Sequence, residues 1–307
     1  MAPREAINNK FDELSAWWKR KTKKLILPGL NGLSFYNLWI IYWGGIVKGT
    51  FSTRASSIAF SFFMAIFPFL LFVLNLIPYI TFIDDFQLEF LVFMDGLLPP
   101  ETSDFFGNIF EDIANTPRGG LLSVAFVLSI FLMTNGVNAI FTGFEFSYHT
   151  KTNRSIPRQY AVAVGVSLIL ALLLLISVIG AVYITYAIDD LSQLGIVSPD
   201  GFGADLIKYI GFVILIYTAV AILYYFGTRE ARQARFFSIG ALFTTILIMI
   251  TTFLFSLYIT NFSNYNELYG SIGALLILMF YIWLNSNMLL LGFELNASLI
   301  KLKKNYR

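Results

Sequence analysis

Four polar side chains interrupt the last hydrophobic run of the chain, residues 272–300. The run is long enough to cross a bilayer, which takes about 20 apolar residues, yet it contains Asn285, Asn287, Glu294 and Asn296. At about 100° per residue, Asn287 and Glu294 lie on nearly one line, whereas Asn285 and Asn296 fall on roughly the opposite face. Since an unpaired polar group in hydrocarbon costs several kcal/mol, the pattern predicts a central helix packed on both sides.

Two interpretations of these polar groups remain open. An ionisable side chain inside a membrane span is a functional candidate by default, and this applies to Glu294. The alternative is that polar side chains only hydrogen-bond one helix to another, which we expect for Asn285 and Asn296. Both alternatives stay open for Glu294.

A second polar line runs along the hydrophobic stretch at residues 121–146. Its members recur at steps of three and four residues: Asn135, Asn138, Thr142, Glu145 and His149. This spacing places them on one continuous helical face. We call this face the polar stripe, and we expect it to be turned away from lipid.

A similar line lies in the stretch at residues 55–80, where its members are Ser57, Ser61, Pro68 and Asn75. Arg54 stands at the beginning of this line. Pro68 removes a backbone hydrogen bond and predicts a kink in the helix.

The composition places the chain among integral membrane proteins. Hydrophobic residues make up 57% of the 307 residues and charged residues only 13%, whereas soluble domains carry roughly 25% charged residues. The chain has no Cys and a single His. These counts exclude disulfides and Cys-based metal sites and argue against His-rich zinc sites, so we expect no metal and no cofactor.

Hydrophobic runs predict an all-α membrane bundle of six transmembrane helices within residues 34–300. The predicted spans are residues 55–80, 121–146, 160–188, 206–226, 236–261 and 272–300. Residues 34–48 hold a helix that is too short to span, and we expect an interfacial elbow or a re-entrant piece. Within the long connection at 81–120 we expect two short amphipathic helices that cap the outer face, either as a cover or as a lid over a cavity.

Both ends of the chain are basic. In residues 1–33, apolar residues at helical spacing precede a cluster of five Lys and Arg residues at positions 19–24. This pattern predicts an amphipathic segment that lies on an anionic cytoplasmic leaflet. Residues 301–307 are predicted to be a basic cytoplasmic tail.

The distribution of Lys and Arg predicts the orientation. With the N-terminus inside, 19 of the 21 basic residues fall in the inner segments, and only Arg118 and Lys208 fall outside. The positive-inside rule therefore places both termini in the cytoplasm. Residues 81–120, which contain eight Asp and Glu residues, are then on the outside.

This orientation brings charged residues to one level near the inner leaflet. Arg54, Glu145 and Glu294 lie at comparable depth, and Arg232 and Arg235 enter the same level from an inner connection. The set predicts either a charged vestibule or a structural ion pair of Arg54 with one of the two carboxylates.

Four segments together resemble the YihY/BrkB family of bacterial inner-membrane proteins. They are TRASSIAFSFFMAIFPFLLFVLNLIP, NAIFTGFEFSYHT, GTREARQARFFSIGAL and YGSIGALLILMFYIWLNSNMLLLGFELNASL. The resemblance covers residues 34–300 and implies six transmembrane helices with both ends cytoplasmic. It also implies recurrent family positions at Arg54, Pro68, Asn138, Glu145, Arg232, Tyr269, Gly270, Glu294 and Asn296. Transport of lipid-like molecules has been suggested for some members, and the label ribonuclease BN is generally regarded as a misassignment.

The sequence is compatible with three functions. The polar lines favour a transporter or flippase for a lipid or another amphipathic molecule, with a cavity lined by the first, second and sixth spans and an anionic amphiphile as substrate. A non-transporting scaffold or envelope-assembly protein is the alternative, and a membrane-associated ribonuclease is less favoured, so we expect no nucleic acid as partner. The candidate substrate-path residues are Arg54, Ser57, Ser61, Pro68, Asn135, Asn138, Thr142, Glu145, Arg232, Arg235, Asn287, Glu294 and Asn296. The sequence leaves the oligomeric state open.

The predicted topology can be tested by cysteine labelling, because the chain contains no Cys. We expect an Asp104→Cys variant to react with an impermeant maleimide in intact cells, whereas Asn9→Cys reacts only after permeabilisation. Labelling of the residue-104 cysteine only after lysis would refute the topology.

Overall fold

The computed structural model describes residues 35–48, 50–76, 86–97, 122–147, 154–193, 202–228, 235–262 and 271–305. Eight helices account for nearly all of them: α1 Phe35–Lys48, α2 Phe51–Leu76, α3 Phe86–Leu97, α4 Leu122–Glu145, α5 Ile156–Gln193, α6 Phe202–Gly227, α7 Ile239–Phe262 and α8 Ser271–Asn305. These described ranges contain no strand, so the predicted all-α class is confirmed for them.

Some predicted features lie outside the described residues. They are the amphipathic segment at 1–33, the second helix expected in the connection at 81–120, His149, Arg232 and the side chain of Asn75. The first helix expected in that connection corresponds to α3.

Among the residues that the structure describes, five helices are long and apolar enough to cross a membrane. Their spanning parts are Val127–Glu145, Ile156–Ile188, Leu206–Gly227, Ile239–Ile259 and Gly273–Leu302. The first of the six predicted spans coincides with α2, a helix of 26 residues that continues through Pro68. The total of six spans stays a prediction.

The six longest helices pack side by side in a closed circuit. In order around the circuit they are α2, α4, α5, α6, α7 and α8, and α8 in turn contacts α2. The contact between α2 and α4 is the most extensive one. The prediction that the last helix packs on both sides is confirmed, since α8 lies between α7 and α2.

The two short helices pack against helices of this circuit. Leu38 and Ile41 of α1 contact Leu299 and Leu302 near the end of α8. On α3, Phe86 and Phe90 are buried in an apolar cluster that also includes residues of α2 and α5.

Small residues allow the closest approaches between helices. A Cβ added to Gly136 of α4 would lie 2.7 Å from Cβ of Ala65 on α2. Between α7 and α8, Gly240 and Gly292 face each other, and a Cβ at Gly292 would lie 2.7 Å from the carbonyl oxygen of Gly240. Association through small residues is common in membrane helices, because it brings backbones into van der Waals contact.

We expect Gly292→Ala to destabilise the bundle by about 1–3 kcal/mol, because overpacking a close contact forces a backbone shift. The new methyl group would collide with Thr244 Oγ1 and with backbone of α7. Gly180→Ala is the matched control, since nothing lies within 4 Å of its added Cβ. Titration with SDS of the purified protein in micelles measures both effects, and equal stability of the two variants would contradict the packing described here.

Candidate functional site

Arg54 and Glu294 form a buried ion pair between α2 and α8. Arg54 lies in the first turn of α2, and its Nη1 donates to Glu294 Oε1 at 2.8 Å. The two residues are 5% and 0% exposed. The prediction that Arg54 lies within ion-pair reach of Glu145 or Glu294 is therefore confirmed, and the partner is Glu294.

The end of α4 joins this pair. The Arg54 Nε donates to the carbonyl oxygen of Gly143 at 2.7 Å, in the last turn of α4, where carbonyl groups lack partners within the helix. Just beyond that helix, the Ser147 hydroxyl donates to Glu294 Oε2 at 2.9 Å. We call Arg54, Gly143, Ser147 and Glu294 the charged junction, because together they connect α2, α4 and α8.

Helix α1 brings one tyrosine close enough to the charged junction to interact with its carboxylate. Burial, and to a lesser extent the negative charge of Glu294, raises the pKa of Tyr42 on α1 to about 12. The phenol therefore stays protonated at neutral pH, and it places a neutral side chain within electrostatic range of Glu294.

Aromatic side chains fill the space beside the charged junction. Phe144 stacks on Phe293 with ring centroids 4.1 Å apart, and Tyr224 of α6 meets both rings edge-on. All three are buried. The Tyr224 hydroxyl donates to the carbonyl of Leu289 and lies 2.5 Å from Thr244 Oγ1, so this part of the bundle is filled by packed side chains.

The polar stripe of α4 faces α5. The Tyr160 hydroxyl donates to Asn135 at 3.1 Å, and the amide nitrogen of Gln159 donates to both Asn138 and Thr142 at 3.0 Å. The prediction that the stripe is turned away from lipid is confirmed for Asn138 and Thr142, whose bonds to Gln159 are partly buried, whereas the bond between Tyr160 and Asn135 is exposed. The hydrogen-bond partners of the stripe belong to the third predicted span, and a cavity that the stripe lines together with the first and sixth spans stays a prediction.

The buried carboxylate of Glu145 completes this contact. Its Oε1 accepts from the backbone N–H of Arg154 at 3.2 Å. The Arg154 guanidinium points to α6, where Nη1 donates to the carbonyl oxygen of Phe226 at 2.6 Å. Arg154 thus links the end of α4 to the end of α6, a role that the sequence analysis did not assign to it.

Asn296 joins α8 to the start of α7. Its side-chain oxygen accepts from the backbone N–H of Gly240 at 2.9 Å, and its nitrogen donates to Ser238 Oγ at 2.7 Å. Ser238 also accepts from the N–H of Ala241, so it is the N-cap of α7. The structural interpretation of Asn296 is confirmed.

Two other asparagines bond within their own helix. Asn285 donates to the carbonyl oxygen of Tyr281, and Asn287 donates to that of Trp283. The expectation that Asn285 bonds helix to helix was therefore wrong for its amide nitrogen, because this group donates to a carbonyl one turn earlier in α8.

The remaining candidates lie apart from the charged junction. Ser57 and Arg235 are exposed, and Ser61 and Pro68 are half-buried. Over the ranges that the structure describes, no three His, Cys, Asp or Glu side chains gather in a group that could hold a metal ion.

A sequence model of the family described as virulence factor BrkB matches residues 43–306 of this chain. That range includes every residue of the charged junction. The chain belongs to the BrkB family. No solved structure matches it.

Relatives of this BrkB-family protein differ in the names they carry. The ribonuclease-like protein YfkH of Bacillus subtilis (strain 168) is 29% identical over 82% of this chain and 91% of its own length. A UPF0761 membrane protein of Psychrobacter sp. (strain PRwf-1) is 23% identical over 87% of this chain and 49% of its own length. A further UPF0761 membrane protein, from Aggregatibacter aphrophilus (strain NJ8700), is 20% identical over 86% of this chain and 92% of its own length.

The ion pair of this BrkB-family protein predicts a specific pattern of stability. Glu294→Gln should cost about 3–5 kcal/mol, because it leaves the buried Arg54 charge uncompensated, whereas replacing both partners by apolar residues is often neutral. We therefore expect Arg54→Met combined with Glu294→Met to recover most of the loss.

The same SDS titration measures these variants, with the exposed Arg158→Met as the control. Additive losses in the double variant would show that the two side chains act independently, which the 2.8 Å contact does not allow.

Proposed function

We propose that this protein is a multi-pass protein of the bacterial inner membrane that moves a lipid, or another amphipathic molecule with an anionic head group, between the leaflets. Both termini lie in the cytoplasm in this proposal, as the distribution of Lys and Arg predicts. The charged junction then faces the inner leaflet, and membrane lipids are its substrates or neighbours.

The observation that carries the proposal is the charge of the buried pair. The carbonyl of Gly143 needs one hydrogen-bond donor, and a neutral side chain supplies such a donor elsewhere, as the Tyr224 hydroxyl does for the carbonyl of Leu289. A buried ion pair is often no more stable than apolar residues of similar volume. Helix capping therefore explains the hydrogen bonds of Arg54 but leaves its charge, and that of Glu294, without a structural reason.

The charge of Arg54 suits an anionic head group. Arginine presents a planar set of donors that matches carboxylate and phosphate groups, and Glu294 occupies one side of this set with a carboxylate oxygen. In the transport cycle that we propose, the head group replaces Glu294 as the partner of Arg54. Ser147 keeps Glu294 hydrogen-bonded during the exchange, since it bonds the other carboxylate oxygen.

The described arrangement corresponds to a closed state in this proposal. Phe144, Phe293 and Tyr224 fill the space beside the charged junction, and the polar stripe is bonded to α5. A head group can follow the stripe only when α4 and α5 exchange these hydrogen bonds for bonds to the substrate.

A non-transporting scaffold is the second candidate, and one observation favours it. The centre of the bundle beside the charged junction is filled by aromatic side chains that are at most 3% exposed. A rigid bundle that only positions other envelope proteins needs such a filled centre and no open path.

Reconstitution in liposomes separates the two candidates. Fluorescent phosphatidylglycerol, phosphatidylcholine, a lysolipid and a glycolipid are the probes, and a membrane-impermeant reductant bleaches the label that reaches the outer leaflet. We expect Arg54→Gln to slow movement of the anionic probe by at least about tenfold, because truncating one partner of a buried charge contact costs more than about 2 kcal/mol. The exposed Arg158→Gln, on α5 near the same end, should keep the wild-type rate.

A combined Arg54→Gln, Glu294→Gln variant distinguishes function from folding. It contains no uncompensated buried charge, so we expect it to be stable but still slow with the anionic probe. If the wild-type protein moves none of the four probes, the transport proposal fails and the scaffold remains.

A further inference from the structure

Helix α1 has two apolar faces, of which one is buried against the bundle. Leu38 and Ile41 pack against the end of α8. The other face carries Ile40, Trp43 and Val47, which are 52%, 45% and 77% exposed. These three residues follow one another at steps of three and four, so they share one side of the helix.

The dimensions and the position of α1 restrict its orientation. Its 14 residues make a helix of about 21 Å, which is shorter than the hydrocarbon core of about 30 Å. Its contacts with α8 are at Leu299 and Leu302, just beyond Glu294. Helix α1 therefore lies at the level where the bundle ends and does not reach across the membrane.

The chain changes direction sharply after α1. Helix α2 begins at Phe51, and Thr50 just before it has a φ of 47°. A positive φ is a true outlier for a β-branched residue, and it prevents α1 and α2 from forming one continuous helix. The turn thus separates α1 from α2, and the side of α1 that carries Ile40, Trp43 and Val47 remains exposed.

We infer that α1 lies in the plane of the cytoplasmic leaflet and binds phospholipid through the face made by Ile40, Trp43 and Val47. This inference stands independently of the proposed transport. Tryptophan is the residue type most characteristic of the boundary between head groups and acyl chains. The Trp43 ring also packs edge-on against Trp39, with centroids 5.5 Å apart.

Charge near α1 agrees with a phospholipid surface as the occupant. Lys301, whose side chain is half-buried, directly precedes Leu302, a residue against which α1 packs. Basic side chains next to an apolar face are attracted to the anionic lipids of the cytoplasmic leaflet. Protein–protein interfaces carry a polar rim around their apolar core, whereas bilayer lipid needs only an apolar face with a basic side chain such as Lys301 nearby.

Depth-dependent fluorescence quenching tests this inference. The full chain is reconstituted in vesicles of phosphatidylethanolamine and phosphatidylglycerol, with bromine atoms placed on the acyl chains either near the head group or near the chain end. A variant with Trp17, Trp18 and Trp283 replaced by Phe keeps only the two tryptophans of α1. The control variant keeps only Trp283, which is half-buried in the middle of the spanning helix α8.

We expect bromine near the head group to quench the α1 tryptophans about twofold more strongly than bromine near the chain end, since in-plane helices insert only about 5–10 Å. Trp283 should show the opposite order. Equal or stronger quenching of the α1 tryptophans by deep bromine would place α1 across the membrane and overturn the inference.

A further arm tests whether another surface covers the face. If neither kind of brominated lipid quenches the α1 tryptophans, a protein surface covers them, and the inference is wrong. Cross-linking of a Val47→Cys variant to itself would then identify a second copy of the chain as the occupant, and cross-linking to a cysteine at position 18 would identify the N-terminal segment.

Discussion

A bilayer core contains no water, so each polar group of an embedded chain must find its partner within the protein. Helix ends are affected most, because four N–H or C=O groups at each end have no partner within the helix. In this protein, side chains from elsewhere in the chain bond the ends of three helices. Arg54 bonds a carbonyl at the end of α4, Arg154 bonds one at the end of α6, and Asn296 bonds an N–H at the start of α7. These bonds between helices connect four of the six helices at one end of the bundle, α2 with α4 and α8 with α7 among them.

The caps differ in what they require of the side chain. Asn296 and Ser238 are neutral and hydrogen-bond to each other. They can do so because α7 and α8 approach closely at Gly240 and Gly292. Arg54 instead brings a full charge into a buried position, and a second charge must accompany it. A neutral side chain would satisfy the carbonyl of Gly143 equally well. The charges of Arg54 and Glu294 are therefore not needed for capping.

Sequence patterns predicted the helices and the level of the charges well, because hydrophobic runs and the direction of each span determine both. They could not decide between Glu145 and Glu294 as the partner of Arg54, since the two lie at similar depth and the choice depends on which side of α4 faces α2. The partner of the polar stripe could not be predicted either, because Gln159 does not belong to a line of polar residues at helical spacing. Ser238 could have been identified as an N-cap, as it directly precedes an apolar helix. Tyr224 gave no signal, since a buried tyrosine in an apolar span looks like any other aromatic residue.

The position of the ion pair along the chain has a consequence for how the protein is made. Arg54 and Glu294 are 240 residues apart, and a ribosome that adds about 5–20 residues per second needs roughly 12–50 s to cover that distance. During this interval α2 has already left the ribosome while its arginine has no carboxylate. Because Arg54 stands in the first turn of α2, its long side chain can extend to the water at the membrane surface until the last helix is inserted. The final step of biogenesis is then the arrival of α8, which draws Arg54 out of the water and closes the circuit of helices.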